Sequence, residues 1–267
     1  MSAEEKIHER AMVHANAKIG EGTTIGPDAI IDEDVVIGKN CEIRARAILT
    51  GKTEIGDENQ IGYQAIIGAE PQDLAYQGAE SSVQMGSGNV IRENVTIHRG
   101  TKEGSATKLG NQNYLMAGAH LAHNCQIGNE VILVNNVLLA GYVEVADFAF
   151  LGGDVVVHQF VRIGQYAMVR GQTRLGMDLP PYFMAAFTNK VVGLNRVGLK
   201  RRGFGPEQRR VIQLAYNALY KNGLNREQAM NQMQNESTFQ IPEIAVLLDF
   251  IQNTQRGICQ HGADPEC

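Results

Sequence analysis

The sequence predicts a mainly β fold, a parallel β-helix of hexapeptide repeats, followed by a C-terminal α-helical domain. Three observations carry that prediction. Large aliphatic side chains return at every sixth residue over most of the chain. Small residues and glycines keep fixed places relative to them. Past Pro180-Pro181 the period becomes that of an amphipathic helix. The division falls at 1–190 for the β-helix and 191–267 for the helical domain.

The six-residue series begins at Val13, continues through Ile19, Ile25 and Ile31 to Ile67, resumes at Met85, Ile91 and Ile97, and runs again from Leu109 to Leu175. Of its 28 positions, only Asp73, Ala79 and Glu103 lack a large aliphatic or Met. Neither a helix nor a simple alternating strand has this period. The residue two before each position is usually small, as at Ala17, Thr23, Ala29, Cys41, Ala119 and Cys125. The residue after it is often Gly, as at Gly20, Gly38, Gly56, Gly110 and Gly128, where a turn tolerates no bulk or needs φ > 0. Three hexads make one triangular coil, so residues eighteen apart stack about 4.8 Å from coil to coil.

Two interruptions keep phase, since both span whole hexads. Residues 69–84 and 99–108 are therefore expected to leave the prism as loops, and loops that break a repeat are where function concentrates. Pro180-Pro181 is expected to end the repeat, because consecutive prolines withhold two ladder donors. An irregular linker over 182–199 follows. Val211, Leu214, Ala215, Ala218 and Leu219 then mark a helix stopping near Asn222-Gly223, Asn225-Arg-Glu-Gln228 reads as a helix start, and a last helix is expected over 242–258. These helices would cap the open end of the β-helix.

Composition bounds the function. At 267 residues and 43% hydrophobic content the chain is globular, and its net charge of -5 gives no general polyanion signature, so nucleic acid is not an expected partner. Lys200-Arg-Arg202 is a local basic exception. Cys41, Cys125, Cys259 and Cys267 show no CxxC spacing or disulfide framework. With no signal peptide and no membrane-spanning run, the expectation is a cytoplasmic protein whose first ten residues are frayed.

Four of seven histidines, His98, His120, His123 and His158, fall in the middle coils, which need no imidazole for packing. The plain alternative for any one of them is a solvated surface group. Column arithmetic singles out His123: eighteen residues on is Gly141, and eighteen further is Gln159. A histidine below an exposed glycine N–H is a general base beside an oxyanion donor. A second column, Asn135, Gly153 and Gly171, would floor a long groove, or simply supply tight turns. A zinc site from His98, His120 and His123 is not expected; their separations, 22 residues and three, do not resemble those of the γ-type carbonic anhydrases.

Several stretches together resemble one family: Pro71-Gln-Asp-Leu74, Ile91 to Gly100, Ala119-His-Leu-Ala-His-Asn-Cys125, Leu139-Ala-Gly141, Val157-His-Gln-Phe160, Asp178-Leu-Pro-Pro-Tyr182 and Gly198-Leu-Lys-Arg-Arg-Gly-Phe204. From about Val13 to Gly257 the chain resembles the bacterial acyl-carrier-protein:UDP-N-acetylglucosamine O-acyltransferases, which begin lipid A synthesis. The resemblance implies a left-handed coil, an exception to the usual crossover hand, and a homotrimer with active sites between neighbouring β-helices. It implies transfer of a 3-hydroxyacyl chain from acyl carrier protein to the 3-position of a UDP-sugar, with no cofactor and no metal. His123 would be the general base and the Gly141 N–H the oxyanion donor. Asp73, His98, His120, His158 and Gln159 match positions that hold the sugar nucleotide or acyl chain. Gly153 and Gly171 match the acyl groove, with Gly171 at its end, where it leaves room for a longer chain. Asn195, Arg201 and Arg202 match positions near the uridine and phosphates, and Lys200 to Arg202 would also steer the acidic carrier protein.

The chain departs from the family pattern near the ligand. Asn124 stands where an Asp often follows the histidine, Ala75 replaces a Lys, Tyr142 a His and Val197 a Glu, and Ala186-Phe-Thr-Asn189 lacks the usual Gly-Asn pair. Substrate identity is the point these changes open. A 3-amino sugar giving an amide, an acetyl-CoA donor, or a UDP-sugar-binding trimer without catalysis are the competing readings. The related N-acyltransferase of the same pathway normally carries an additional N-terminal uridine-binding domain, whereas here the repeat begins by Val13.

Overall fold

The computed structural model describes residues 7–262. Its body is a left-handed parallel β-helix whose three sheets, of nine, eight and eleven strands, form the faces of a triangular prism; all pairings but one, at the top of the eleven-stranded sheet, are parallel. We call them face 1, which holds His120–Leu121, face 2, which holds Gln126–Ile127, and face 3, which holds Ile132–Leu133; the chain visits them in that order in every coil. The expected register holds: Ile30 pairs with Ile48, Glu42 with Gln60, and Glu144 with Arg162, each eighteen residues on.

The inward aliphatics stack into one dry core with the small residues two before them. Most turns carry a left-handed residue three positions after the inward aliphatic, and side chains of every kind fill it, including Asn124, Tyr142 and Phe160 with φ of 61°, 60° and 65°. The glycines directly after the aliphatics, Gly68 apart, have ordinary φ. They are glycine because coils touch there: a Cβ on Gly38 would lie 2.5 Å from the Gly56 backbone. Close approach, not φ > 0, is their cause.

One inner column is polar. Asn59, Asn89 and Asn113 are fully buried and bond in series, Asn89 Nδ2 giving to Asn59 Oδ1 at 3.0 Å and Asn113 Nδ2 to Asn89 Oδ1 at 2.9 Å. Spare hydrogens go to the Gly86 and Gly110 carbonyls, so every group in the ladder is used.

Both interruptions leave the corner between faces 1 and 2, but they are shorter than expected. Ser82–Met85 and Ala106–Leu109 are already strands of face 2, leaving loops of 70–81 and 99–105. Ile55 pairs with Met85, thirty residues on, so the whole-hexad excursion preserves every later register. The expectation of a frayed start is corrected in its described part, since Ile7 bridges Ile25 and the His8 N–H bonds the Ile25 carbonyl at 2.9 Å. The rest of that expectation, and Cys267, lie outside the described residues.

The top of the prism differs from expectation too. Pro180-Pro181 sits at a corner, and the chain beyond it adds one more parallel strand, Phe183–Ala186, on Met168–Val169. The expected linker is ordered: Lys190–Leu194 turns back antiparallel, and helix α1 spans Arg196–Arg201. Helix α2 spans Pro206–Tyr220, α3 spans Arg226–Asn235 with an Asn225–Gln228 capping box, and α4 spans Pro242–Gln252, ending before residue 258. After it Gln260–His261 pairs with Lys190–Leu194 and covers the edge of face 3. Asp178, 1% exposed, pins cap to prism by accepting from the Arg162 N–H at 2.9 Å and the Thr254 hydroxyl at 2.6 Å.

The asparagine ladder yields a stability test. Asn89→Ala orphans buried groups on both neighbouring coils and is expected to cost about 3 kcal/mol in denaturant unfolding. Asn111→Ala, on the exposed corner, is expected to cost less than about 1 kcal/mol.

Candidate functional site

The site is built at the corner between faces 1 and 2. His123 occupies the turn after His120–Leu121, is 8% exposed, and lies directly beneath Gly141. A Cβ on Gly141 would sit 2.3 Å from His123 Cε1 and 2.6 Å from Nε2, so only glycine leaves room for the imidazole. Gln159, one coil higher, is exposed. The column expected from spacing is thus present.

At the corner between faces 2 and 3, the N–H groups in the equivalent turn position are consumed by side chains from the next coil. Ser87 N–H gives to Asn111 Oδ1 at 2.8 Å, Asn111 N–H to Asn129 Oδ1 at 2.8 Å, and Asn129 N–H to Asp147 Oδ1 at 2.7 Å. The Gly141 N–H has no hydrogen-bond partner among the described residues. An unpaired donor is left beside an imidazole, the arrangement an oxyanion requires.

The loops complete the corner. Loop 70–81 brings Asp73, fourth in its first run of residues, to within 3.8 Å of His123 Nε2 (Oδ2), while Asp73 Oδ1 is held by the Ala75 N–H at 2.9 Å. Arg99 fastens this loop, bonding the Gly68 carbonyl at 3.0 Å and the Tyr76 hydroxyl at 3.1 Å. Loop 99–105 brings Thr101 to Asn124, whose Oδ1 lies 3.1 Å from His123 Nδ1. Tyr142 stands edge-on to the His123 ring at 5.3 Å and stacks on Phe160 at 4.9 Å. The carboxylate absent from position 124 has a counterpart in Asp73, on the opposite side of the ring.

His98 and His120 flank this group on face 1, with ring centroids 5.0 Å apart, and His120 Nδ1 lies 2.7 Å from the Thr96 hydroxyl. Burial, reinforced by His120 and His123, pushes His98 down to about 4. Burial and then His123 lower His120 also. Both are neutral imidazoles at neutral pH. His158, exposed, lies within 3.1 Å of the Gln159 carbonyl through Nδ1. Among the described residues, no three His, Cys, Asp or Glu side chains are placed to hold a metal ion.

One chain does not bring the remaining candidates to this corner. Gly153 and Gly171 stack on the corner between faces 3 and 1. Arg202 lies at the corner between faces 2 and 3, its guanidinium 4.6 Å from the Phe148 ring centre and paired with Glu130. Arg201 is exposed in the last turn of α1. Asn195 is buried as the cap of α1: its Oδ1 accepts the Gly198 N–H at 3.0 Å and its Nδ2 gives to the Tyr166 carbonyl at 2.9 Å. Sequence reasoning missed Thr101 and Arg99 as parts of the site. Both lie in a segment that breaks the repeat, and Arg99 also lies in the Ile91 to Gly100 stretch that carries the family resemblance.

A curated relative from Thermodesulfovibrio yellowstonii, an acyl-[acyl-carrier-protein]–UDP-N-acetylglucosamine O-acyltransferase, is 44% identical over 96% of this chain and 99% of its own. The chain belongs to that family. A member from Trichlorobacter lovleyi is 53% identical over 76% of this chain and 80% of its own. The crystal structure of the UDP-N-acetylglucosamine acyltransferase from Bacteroides fragilis superposes with a TM-score of 0.89 at 42% identity, over 94% of this chain and 98% of that one. The family model for domain 2 of UDP N-acetylglucosamine O-acyltransferase matches residues 178–259, and the bacterial transferase hexapeptide model matches 106–141.

The depressed His98 predicts a pH dependence of stability. The unfolded chain protonates this residue near 6.5 and the folded chain only near 4, so its contribution is complete above pH 6.5 and lost as pH falls toward 4. The loss is expected to reach about 3 kcal/mol, read as the fall in unfolding free energy, and His98→Gln is expected to flatten it.

Proposed function

We propose that this protein transfers a 3-hydroxyacyl group from acyl carrier protein to the 3-hydroxyl of UDP-N-acetylglucosamine, the step that opens lipid A synthesis. Family membership supports the reaction, and the placement of His123 under the open N–H of Gly141 carries the mechanism. His123 Nε2 takes the proton from the sugar hydroxyl as its oxygen attacks the thioester carbonyl. The tetrahedral oxyanion accepts the Gly141 N–H. On collapse the C–S bond breaks, the sulfur leaves with the proton held by His123, and the ester remains on the sugar. Asp73, 3.8 Å from Nε2, stabilises the transient imidazolium and accepts from the bound sugar. No cofactor is required, because the thioester supplies the driving force. His98, His120, His158 and Gln159 line the approach to His123.

The assembly we propose is a homotrimer, and the outer surface supports it. Face 1 turns Leu138 and Val156 outward, both more than 40% exposed, and face 3 turns out Tyr114, Ile132, Phe150 and Met168. Face 2 turns out Lys18, Glu54, Lys108, Glu144 and Arg162. Three prisms packed face 1 on face 3, with face 2 in solvent, set the His123 corner of one chain beside the Arg202 corner of the next. Gly153 and Gly171 then lie toward the three-fold axis as the acyl groove, and Arg201 and Arg202 meet the nucleotide phosphates across the interface. Lys200 to Arg202 also steer the acidic carrier protein. We place the enzyme in the cytoplasm: Cys41, Cys125 and Cys259 are all free, and no helix among the described residues is long and apolar enough to cross a membrane.

The test is acyl transfer from a panel of 3-hydroxyacyl carrier proteins to UDP-N-acetylglucosamine and its 3-amino analogue. Ester formation by the wild type is expected, with kcat reduced at least about 100-fold in His123→Ala and in Gly141→Ala, whose new methyl group displaces the imidazole. A folded protein that binds the nucleotide yet makes no product with any donor would sink the enzyme reading; preference for the amino analogue would reassign the acceptor.

A further inference from the structure

An amide beside a catalytic histidine poses a problem that a carboxylate does not. Both oxygens of a carboxylate accept hydrogen bonds, whereas an asparagine offers an acceptor on one side and an NH2 donor on the other. An NH2 facing His123 Nδ1 would force that nitrogen to accept, leaving the proton on Nε2 and no lone pair for the sugar hydroxyl.

Thr101 decides between the two. Its backbone N–H, which can only donate, lies 3.1 Å from the Asn124 side-chain atom, and its hydroxyl lies 3.0 Å from the same atom. The backbone N–H identifies that atom as the oxygen, and the hydroxyl, which can donate or accept, then gives its hydrogen to it. The Tyr142 hydroxyl lies 3.0 Å from Thr101 Oγ1, and because Thr101 gives its own hydrogen to Asn124, Tyr142 is the donor there. That oxygen is 3.1 Å from His123 Nδ1, which must therefore carry the hydrogen. Asn124 is 8% exposed and its own N–H is held by the Thr107 hydroxyl at 2.7 Å, so backbone movement cannot relieve the arrangement.

We propose that Thr101 is a positioning residue: by holding the Asn124 amide oxygen toward Nδ1, it keeps His123 in the tautomer whose Nε2 is unprotonated. The value of this for catalysis rests on the reading of His123 as general base. Loop 99–105 thus contributes a device that compensates for Asn124. With an aspartate at that position Thr101 becomes dispensable for the tautomer, so the two positions are coupled.

The experiment combines 15N NMR of histidine-labelled full-length protein, the His123 signal being assigned by its loss in His123→Gln, with steady-state kinetics of the same samples. Wild type and Thr101→Ser are expected to show His123 protonated at Nδ1. Thr101→Val, nearly isosteric and still carrying its backbone N–H, is expected to show a mixture of tautomers and a kcat about tenfold lower, with KM within about twofold. In an Asn124→Asp background, Thr101→Val is expected to change kcat by less than about twofold. An unchanged tautomer in Thr101→Val, or an equal loss of kcat in both backgrounds, would overturn the proposal. An active His123→Ala variant would instead overturn the general-base reading, and the spectra would still decide the tautomer.

Discussion

Each coil of the prism turns three aliphatic side chains inward, and each of them must stack on its counterpart one coil below, because a parallel ladder offers no other way to bury them. That single constraint sets the rest. It makes the register exact, so that an insertion is tolerated only if it returns the chain to the same face in phase. The excursions at 70–81 and 99–105 obey it, and every later pairing, from Ile97 with Leu121 upward, is undisturbed. A slip of one residue would turn the aliphatics outward along the whole remaining column.

The same stacking generates the site almost without further cost. Successive turns at one corner repeat the same backbone geometry, so an N–H that is capped by Asn or Asp at one corner is available at another simply through a change of side chain. At Gly141 the side chain is deleted and the space passes to His123 from the coil below. The geometry of the proposed site is therefore inherited from a rigid ladder, while Asp73 and Thr101, which we propose act on the histidine, arrive on loops that the ladder does not dictate. The division lets loop and surface substitutions such as Ala75 and Tyr142 alter the surroundings of the histidine and leave the prism intact.

Polarity is distributed with the same economy. Two outer faces are apolar in the upper coils and one is charged, which on a lone prism would leave Leu138 and Val156 in water. The proposed three-fold assembly would resolve that imbalance and would bring together corners that one chain keeps apart. The separation of Arg202 from His123 in one chain is what a site built between chains would require.

A strict six-residue period converts residue number into position, so the prism, its register, its aliphatic columns and the vertical neighbours His123, Gly141 and Gln159 are legible in the amino-acid order. It also located both excursions, whose ends were misplaced by a few residues because Ser82 and Ala106 pair as strand without an aliphatic marker. What the excursions touch is settled by the folded contacts and not by the repeat. Nothing in the numbering brings Asp73 to Nε2 or Thr101 to Asn124, since a loop's path depends on contacts such as Arg99 with Tyr76 rather than on a repeat. The strands after Pro181 escaped notice for a related reason. A proline pair reads as a stop when taken alone, but at a corner it leaves the next stretch, Phe183–Ala186, free to take one more place in the ladder.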